Sequence, residues 1–450
     1  MTVQKAVLSV FVVVLLTACG ASAQQEAAPA ARPHNVILFI SDGCGPASFT
    51  LARTYLTDVL GGEGLAVDGV QVGAVRTRSA DSRVTDSAAG ATAFACGIKT
   101  NNGALAVDPD GKPHTTVLEA AEARGMATGL VVTSTITHAT PAAFAAHVPS
   151  RGMTAEIATQ EIAQGIEVLF GGGTMDFLPA EAGGSRTDGR NLFDEARRAG
   201  YQIVRSRAEF DAELRAPVLG LFAPGHMAYE IDRDPAREPS LAEMMRKAID
   251  LLKDDPDGFF LMVEGSRIDH AAHGNDAAAH LHDILAFDEA VAAALDFARA
   301  DGQTLIVSTS DHETGGLTLG RNIDGMGVYA WRPEALEPIK HSNGALWERL
   351  TAGGGLAQTL EEETGIRLAA LAAPRRASLV EAYEDRDAHA FFRAYNEVVS
   401  RKAILGWTTS GHTGVDVNLY AFGPGRARFV GNHDNTEIGR LLADLLGLEL

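Results

Sequence analysis

The sequence is short of positive charge. Against 58 acidic residues it has 38 lysines and arginines, a formal net charge of -20. Such a surface repels phosphate backbones, which argues against nucleic acid as a partner. An anionic substrate would need a local positive centre, from metal ions or a well-placed arginine. Cysteine is scarce as well, with three in 450 residues and no zinc-type spacing among them. Cys44 and Cys96 read more simply as two buried thiols, although an exported compartment would permit a bridge. After the N-terminus no apolar run is long enough to cross a bilayer. No internal repeat is visible.

What is present begins with an export segment. Lys5 precedes an apolar stretch at 6–16 that is too short to span a membrane. Leu16-Thr17-Ala18-Cys19 has the form of a bacterial lipobox, giving a signal peptide of 1–18 and a lipid anchor at Cys19. Ala21-Ser22-Ala23 fits an A-x-A site, giving 1–23. Position favours the lipobox. Either cut predicts an exported protein, periplasmic or extracellular. Residues 19–34, rich in Ala, Gln and Pro, read as a tether.

Largely apolar runs at 35–40, 128–133, 259–263 and 304–309 alternate with helical stretches such as 116–124 and 283–300. Apolar strands alternating with helices predict an α/β fold, with a largely parallel central sheet flanked by helices. Polar residues gather after the strands, where such a sheet places its active site. Residues 321–405 lack the strand-then-acid pattern and read as a mostly helical insertion that covers or flanks the site. The catalytic domain would then be 35–320 with 406–450.

The run at 259–263 ends in Glu264, with Asp269 and His273 following. These last two are four apart, so they share a helical face. Carboxylates and neutral imidazole are the ligands of zinc and magnesium. The plain alternative is a solvated strand end with a stray histidine. Asp42 follows the first strand. In Thr85-Asp86-Ser87-Ala88 a serine begins a small-residue helix. Such a serine is ordinarily an N-cap, but a helix N-terminus also suits a nucleophile that must carry an anionic phosphate. His138-Ala139-Thr140-Pro141 and Ser150-Arg151 come next. An arginine fork matches phosphate oxygens, though a lone loop arginine is usually a surface charge. Asp311-His312 and Gly411-His412-Thr413-Gly414 complete the set.

In this order, and with Asp42-Gly43-Cys44-Gly45 and the segment 97–103, these residues resemble the alkaline phosphatase family over 35–320 and 406–450. The resemblance implies a phosphomonoesterase that acts on small phosphate monoesters with two zinc ions and one magnesium ion. Ser87 would be the nucleophile that becomes phosphoserine, and Arg151 would clamp the phosphoryl group. Asp269, His273 and His412 would hold one zinc; Asp42, Asp311 and His312 the other. Asp42, Thr140 and Glu264 would hold magnesium, with Asp86, His138 and His270 around the ligands. The pairing makes chemical sense, because two metals can stabilise the entering and leaving oxygens of an in-line displacement.

Some members of the family have Asp at position 138 and Lys at 270. Histidine at 138 makes zinc more competitive for the third site, so weaker magnesium retention is expected. Homodimers are common in that family, but no interface signature is visible here. Rival readings are a phosphodiesterase, sulfatase or mutase of the same superfamily, and a phosphate- or metal-binding protein without turnover. His280 and His282 read as structural or supporting residues. His34, His114, His226, His341 and His389 read as surface or packing residues, and His147 and His433 stay unassigned.

Overall fold

The first apolar run forms strand β1, Asn35–Ile40, and all six of its residues are buried. The structure is a computed structural model that describes residues 32–450. The export segment, Cys19 and the tether up to residue 31 lie outside the described residues. Beyond β1 the main strands are β2 (Gln71–Arg76), β3 (Ala127–Thr135), β4 (Val168–Gly172), β5 (Gln202–Val204), β6 (Val218–Leu221), β7 (Phe259–Glu264) and β8 (Thr304–Thr309). Two late strands, Val417–Phe422 and Gly431–Asp434, follow.

These make one ten-stranded sheet. Its order is Gly431–Asp434, β2, Val417–Phe422, β8, β1, β7, β3, β4, β6, β5. Val417–Phe422 runs antiparallel to both neighbours, and the other pairings are parallel. The α/β architecture expected from the apolar runs is therefore present. The β1 side chains alternate between two cores. Ile37 and Phe39 face one, and Val36, Leu38 and Ile40 face the other. Helices cover both faces, which is why the strands read as continuous apolar runs.

Helix α1, Pro46–Asp58, follows β1, and α2, Ser87–Cys96, is buried along its whole length. Residues 321–405 carry a short hairpin and the helices Asn343–Thr351, Leu356–Thr364, Ala373–Glu384 and Ala388–Ala403. Their apolar faces, including Leu346, Leu350, Phe391 and Tyr395, join the core that holds Phe39. Among the described residues, no helix is long and apolar enough to cross a membrane. Cys44 and Cys96 are free, buried thiols.

Candidate active site

Strand register brings the polar loops together. Ile40 stands level with Glu264 on one side and with Thr309 on the other. The loops carrying Asp42 and Asp311-His312 therefore leave the sheet beside each other, next to the end of β7. Gly43 allows the closest approach. It has φ +70°, and a Cβ there would lie 2.7 Å from Asp269 Oδ1 and 2.8 Å from the Asp269 backbone. Only glycine turns there without strain and without clash. Its N–H donates to Asp311 Oδ1 at 3.2 Å. The helix Arg267–His273 then carries Asp269 and His273 on one face.

The structure separates the two roles open to Ser87. Asp86 is the N-cap of α2, accepting from the Ala89 N–H at 3.1 Å. Ser87 is the first helical residue, so its hydroxyl is not spent on capping. Its Oγ lies 3.2 Å from His312 Nε2. The small residues of α2 permit this depth: a Cβ on Gly90 would come within 3.0 Å of Asp311 Cβ.

Three groups of ligand atoms converge, each within 4.8 Å: Asp269, His273 and His412; Asp42, Asp311 and His312; and Asp42, His138 and Glu264. The first two meet where the His312 and His412 rings stack at 3.6 Å. The imidazoles are held in a common way. His273 Nδ1–H donates to the Ser410 carbonyl at 2.6 Å and His412 Nδ1–H to the Thr85 carbonyl at 2.8 Å. The Thr314 hydroxyl donates to Asp269 Oδ1 at 2.5 Å and accepts from His312 Nδ1–H at 3.2 Å. Each Nδ1 is thereby held from outside and each Nε2 turned inward, the orientation that outer hydrogen bonds impose on metal-binding histidines. The Nε2 atoms of His273 and His412 face one another at 3.2 Å.

The carboxylates test whether a cation fits. Both oxygens of Asp42, both of Glu264, Asp311 Oδ2 and Thr140 Oγ1 are buried without a hydrogen-bond partner. Burial, then the charges of Asp311 and Asp269, push Asp42 well up, and burial followed by Asp311 pushes Glu264 up to about 8. Burial would raise Asp269 too, but its hydrogen bond with His273 and the facing imidazoles hold it well below the usual range. Uncompensated buried carboxylates cost several kcal/mol each. Divalent cations among these oxygen and nitrogen donors remove that cost, so the residues fit metal.

Arg151 donates to Asp86 Oδ2 at 3.1 Å and to His138 Nε2 at 2.9 Å. Asp86 also accepts from the Gly103 N–H at 3.0 Å, so one carboxylate caps α2 and fixes the guanidinium. His270 accepts from Arg267 at 2.9 Å. It packs against His138 at 5.3 Å and His226 at 4.4 Å between ring centroids. Burial, then Arg151, hold His138 down to about 3; burial, then Arg267, hold His226 down to about 4. The cluster is therefore neutral.

The candidate ligands lie together here with Ser87, Asp86, Arg151 and His270. Two more belong with them. His226, read above as surface or packing, joins the imidazole cluster from the loop after β6; its place beyond a strand end was the only signal available. Thr314, which ties two ligand sets together, carried none. His280 is structural: it is buried and bonds the Ile268 carbonyl at 2.9 Å and Ser48 Oγ at 2.8 Å. His147 pairs with Glu119 at 2.7 Å.

The family model described as Alkaline phosphatase matches residues 33–448. The chain is 41% identical to the repressible alkaline phosphatase of Saccharomyces cerevisiae, over 93% of this chain and 82% of that one. Its structure is similar to that of a cold-active alkaline phosphatase from a psychrophilic Shewanella. The TM-score is 0.83 at 35% identity, covering 92% of this chain and 99% of that one. It is also similar to a TAB5 alkaline phosphatase mutant described with Mg bound in the M3 site. There the TM-score is 0.68 at 28% identity, over 94% and 100% of the two chains.

Proposed function

The chain belongs to the alkaline phosphatase family and is a phosphoric monoester hydrolase, and from that premise we propose that it works through a phosphoserine at Ser87. The observation that carries this reading is the position of Ser87 Oγ, not spent on capping at a helix N-terminus and 3.2 Å from His312 of the buried set Asp42, Asp311 and His312. Asp269, His273 and His412 hold one zinc and Asp42, Asp311 and His312 a second. Asp42, Thr140 and Glu264 would hold magnesium, with His138 beside them. Bound there, the ions would lower the pKa of the Ser87 hydroxyl, offset phosphoryl charge and stabilise the leaving oxygen.

The residues of the chain do the rest. Arg151, steadied by Asp86, turns its fork to the phosphoryl oxygens and gives up its bond to His138. The N-terminal N–H groups and dipole of α2 favour the same anion. Ser87 loses its proton, and its Oγ–P bond forms as the ester P–O bond breaks. The departing alkoxide takes a proton and leaves as the alcohol. Water then cleaves Oγ–P, restores the serine hydroxyl and releases inorganic phosphate.

The protein is exported to the periplasm or beyond and serves phosphate acquisition there, with Cys19 as lipid anchor where the lipobox is cut. Residues 321–405 are an insertion beside the site, and a homodimer follows the family's habit. Elemental analysis with p-nitrophenyl phosphate assays before and after chelation tests the centre. Three bound ions and activity that returns with zinc and magnesium are expected. Full activity in metal-free protein would overturn it. A bis-p-nitrophenyl phosphate rate above the monoester rate would instead favour a diesterase.

A further inference from the structure

A cavity of about 770 Å³ opens beside His273. Part of its wall is the helix Ala388–Ala403, and part is the segment around Trp407 that leads to His412. The wall is anchored: Asn396 donates to the Gly274 carbonyl at 2.7 Å, fixing that helix to the turn after His273. The cavity therefore begins at a ligand of the set Asp269, His273 and His412, whereas Ser87 lies against His312 of the neighbouring set. In an in-line displacement the leaving oxygen departs opposite the nucleophile, toward the set that does not adjoin Ser87 and so toward the cavity beside it.

The lining has a definite chemistry. Trp407 and Phe392 offer ring faces for a carbon skeleton, and Asn343 offers an amide. Three charged residues line it: Arg321, Arg393 and Glu397. Arg321 and Glu397 neutralise each other through paired hydrogen bonds of 2.9 and 3.0 Å. Arg393 has no ion-pair partner among the described residues. On its other side it borders a hollow edged by Glu381, Asp385 and Asp387, and pairs with none of them. The cavity thus presents one arginine without a direct ion-pair partner among the described residues, in a chain of net charge -20. A second anion on the substrate would be repelled by most of this surface and attracted here.

We propose that this cavity is the leaving-group subsite, and that it favours phosphate esters whose alcohol bears a second anionic group, read by Arg393. The proposal rests on the phosphomonoesterase reading given above. The test compares kcat/KM for 6-phosphogluconate and glucose 6-phosphate, which share six carbons and differ in a carboxylate. The wild type favours 6-phosphogluconate. Arg393→Ala lowers the ratio of the two by about tenfold, as loss of a charge-assisted hydrogen bond requires. Arg393→Lys restores part of the ratio, and Arg393→Glu lowers it further. A ratio that none of the three substitutions moves overturns the subsite. A wild type inert toward p-nitrophenyl phosphate removes the hydrolase reading itself, a different failure from an unmoved ratio.

Discussion

The ligand set Asp42, Asp311 and His312 and the set Asp269, His273 and His412 are built differently. Asp42, Asp311 and His312 are wholly buried. In the neighbouring set Asp269 is buried, but His273 leaves 38% of its side chain exposed. The closed set comes from residues just past the ends of β1 and β8, where strand register leaves little freedom. The open set comes from a helix and a late loop, and it faces the cavity walled by residues 321–405. On the proposed mechanism the contrast is a division of labour: the closed set would fix the nucleophile, while the open set would meet the part of the substrate that varies.

Substitutions can break that comparison. Ser87→Ala has the largest effect expected, lowering kcat/KM for p-nitrophenyl phosphate by on the order of 10⁴-fold or more, with metal content unchanged by elemental analysis. An active Ser87→Ala would remove the closed set from the chemistry. Thr314→Val comes next. Thr314 orients Asp269 and His312 at once, so its loss weakens zinc by roughly 10- to 100-fold, measured by competition with a chelating dye. Asn396→Ala touches only the turn after His273 and weakens zinc less. Equal losses in the two variants would show that the tie between the two sets through Thr314 counts for no more than the anchor at Gly274.

The third site sharpens the same contrast. His138→Asp replaces a nitrogen donor with a hard oxygen and tightens magnesium retention on dialysis; equal retention would show that His138 does not select the ion. The smallest effect belongs to Glu161, a buried carboxylate outside all three sets with no partner on either oxygen. Burial, then the charge of Asp176, raise its pKa well above 4.5. The folded state therefore holds this proton more tightly than the unfolded chain does. The stability this contributes is complete below about pH 4.5 and is lost as pH rises through the folded value. Glu161→Gln removes that loss, stabilising the protein at pH 9 by about 1–3 kcal/mol and progressively less toward pH 5. Melting temperatures across that range check the sign.

Much of this was legible in the sequence because its causes are local. An apolar strand ending in Glu264 and two ligands four residues apart on a helix are local patterns. The parallel sheet follows from apolar strands alternating with helices, and the motifs carried the family likeness. The rest was hidden because it depends on distant partners. Ser87 reads as an ordinary cap of α2, and only the fold shows that Asp86 takes that place. His226 has no meaning until β6 brings its loop beside His138. Thr314 looks like any strand threonine until it meets Asp269 and His312. Arg393 and Asn396 matter only because their helix returns to the turn at Gly274.

The central claim is that the oxygen of Ser87 receives the phosphoryl group. Mass spectrometry of protein quenched in acid during turnover of p-nitrophenyl phosphate tests it directly. The account predicts one phosphoryl group on the peptide containing Ser87, gone in Ser87→Ala. A phosphoryl group on another residue, or steady hydrolysis by Ser87→Ala, would contradict it.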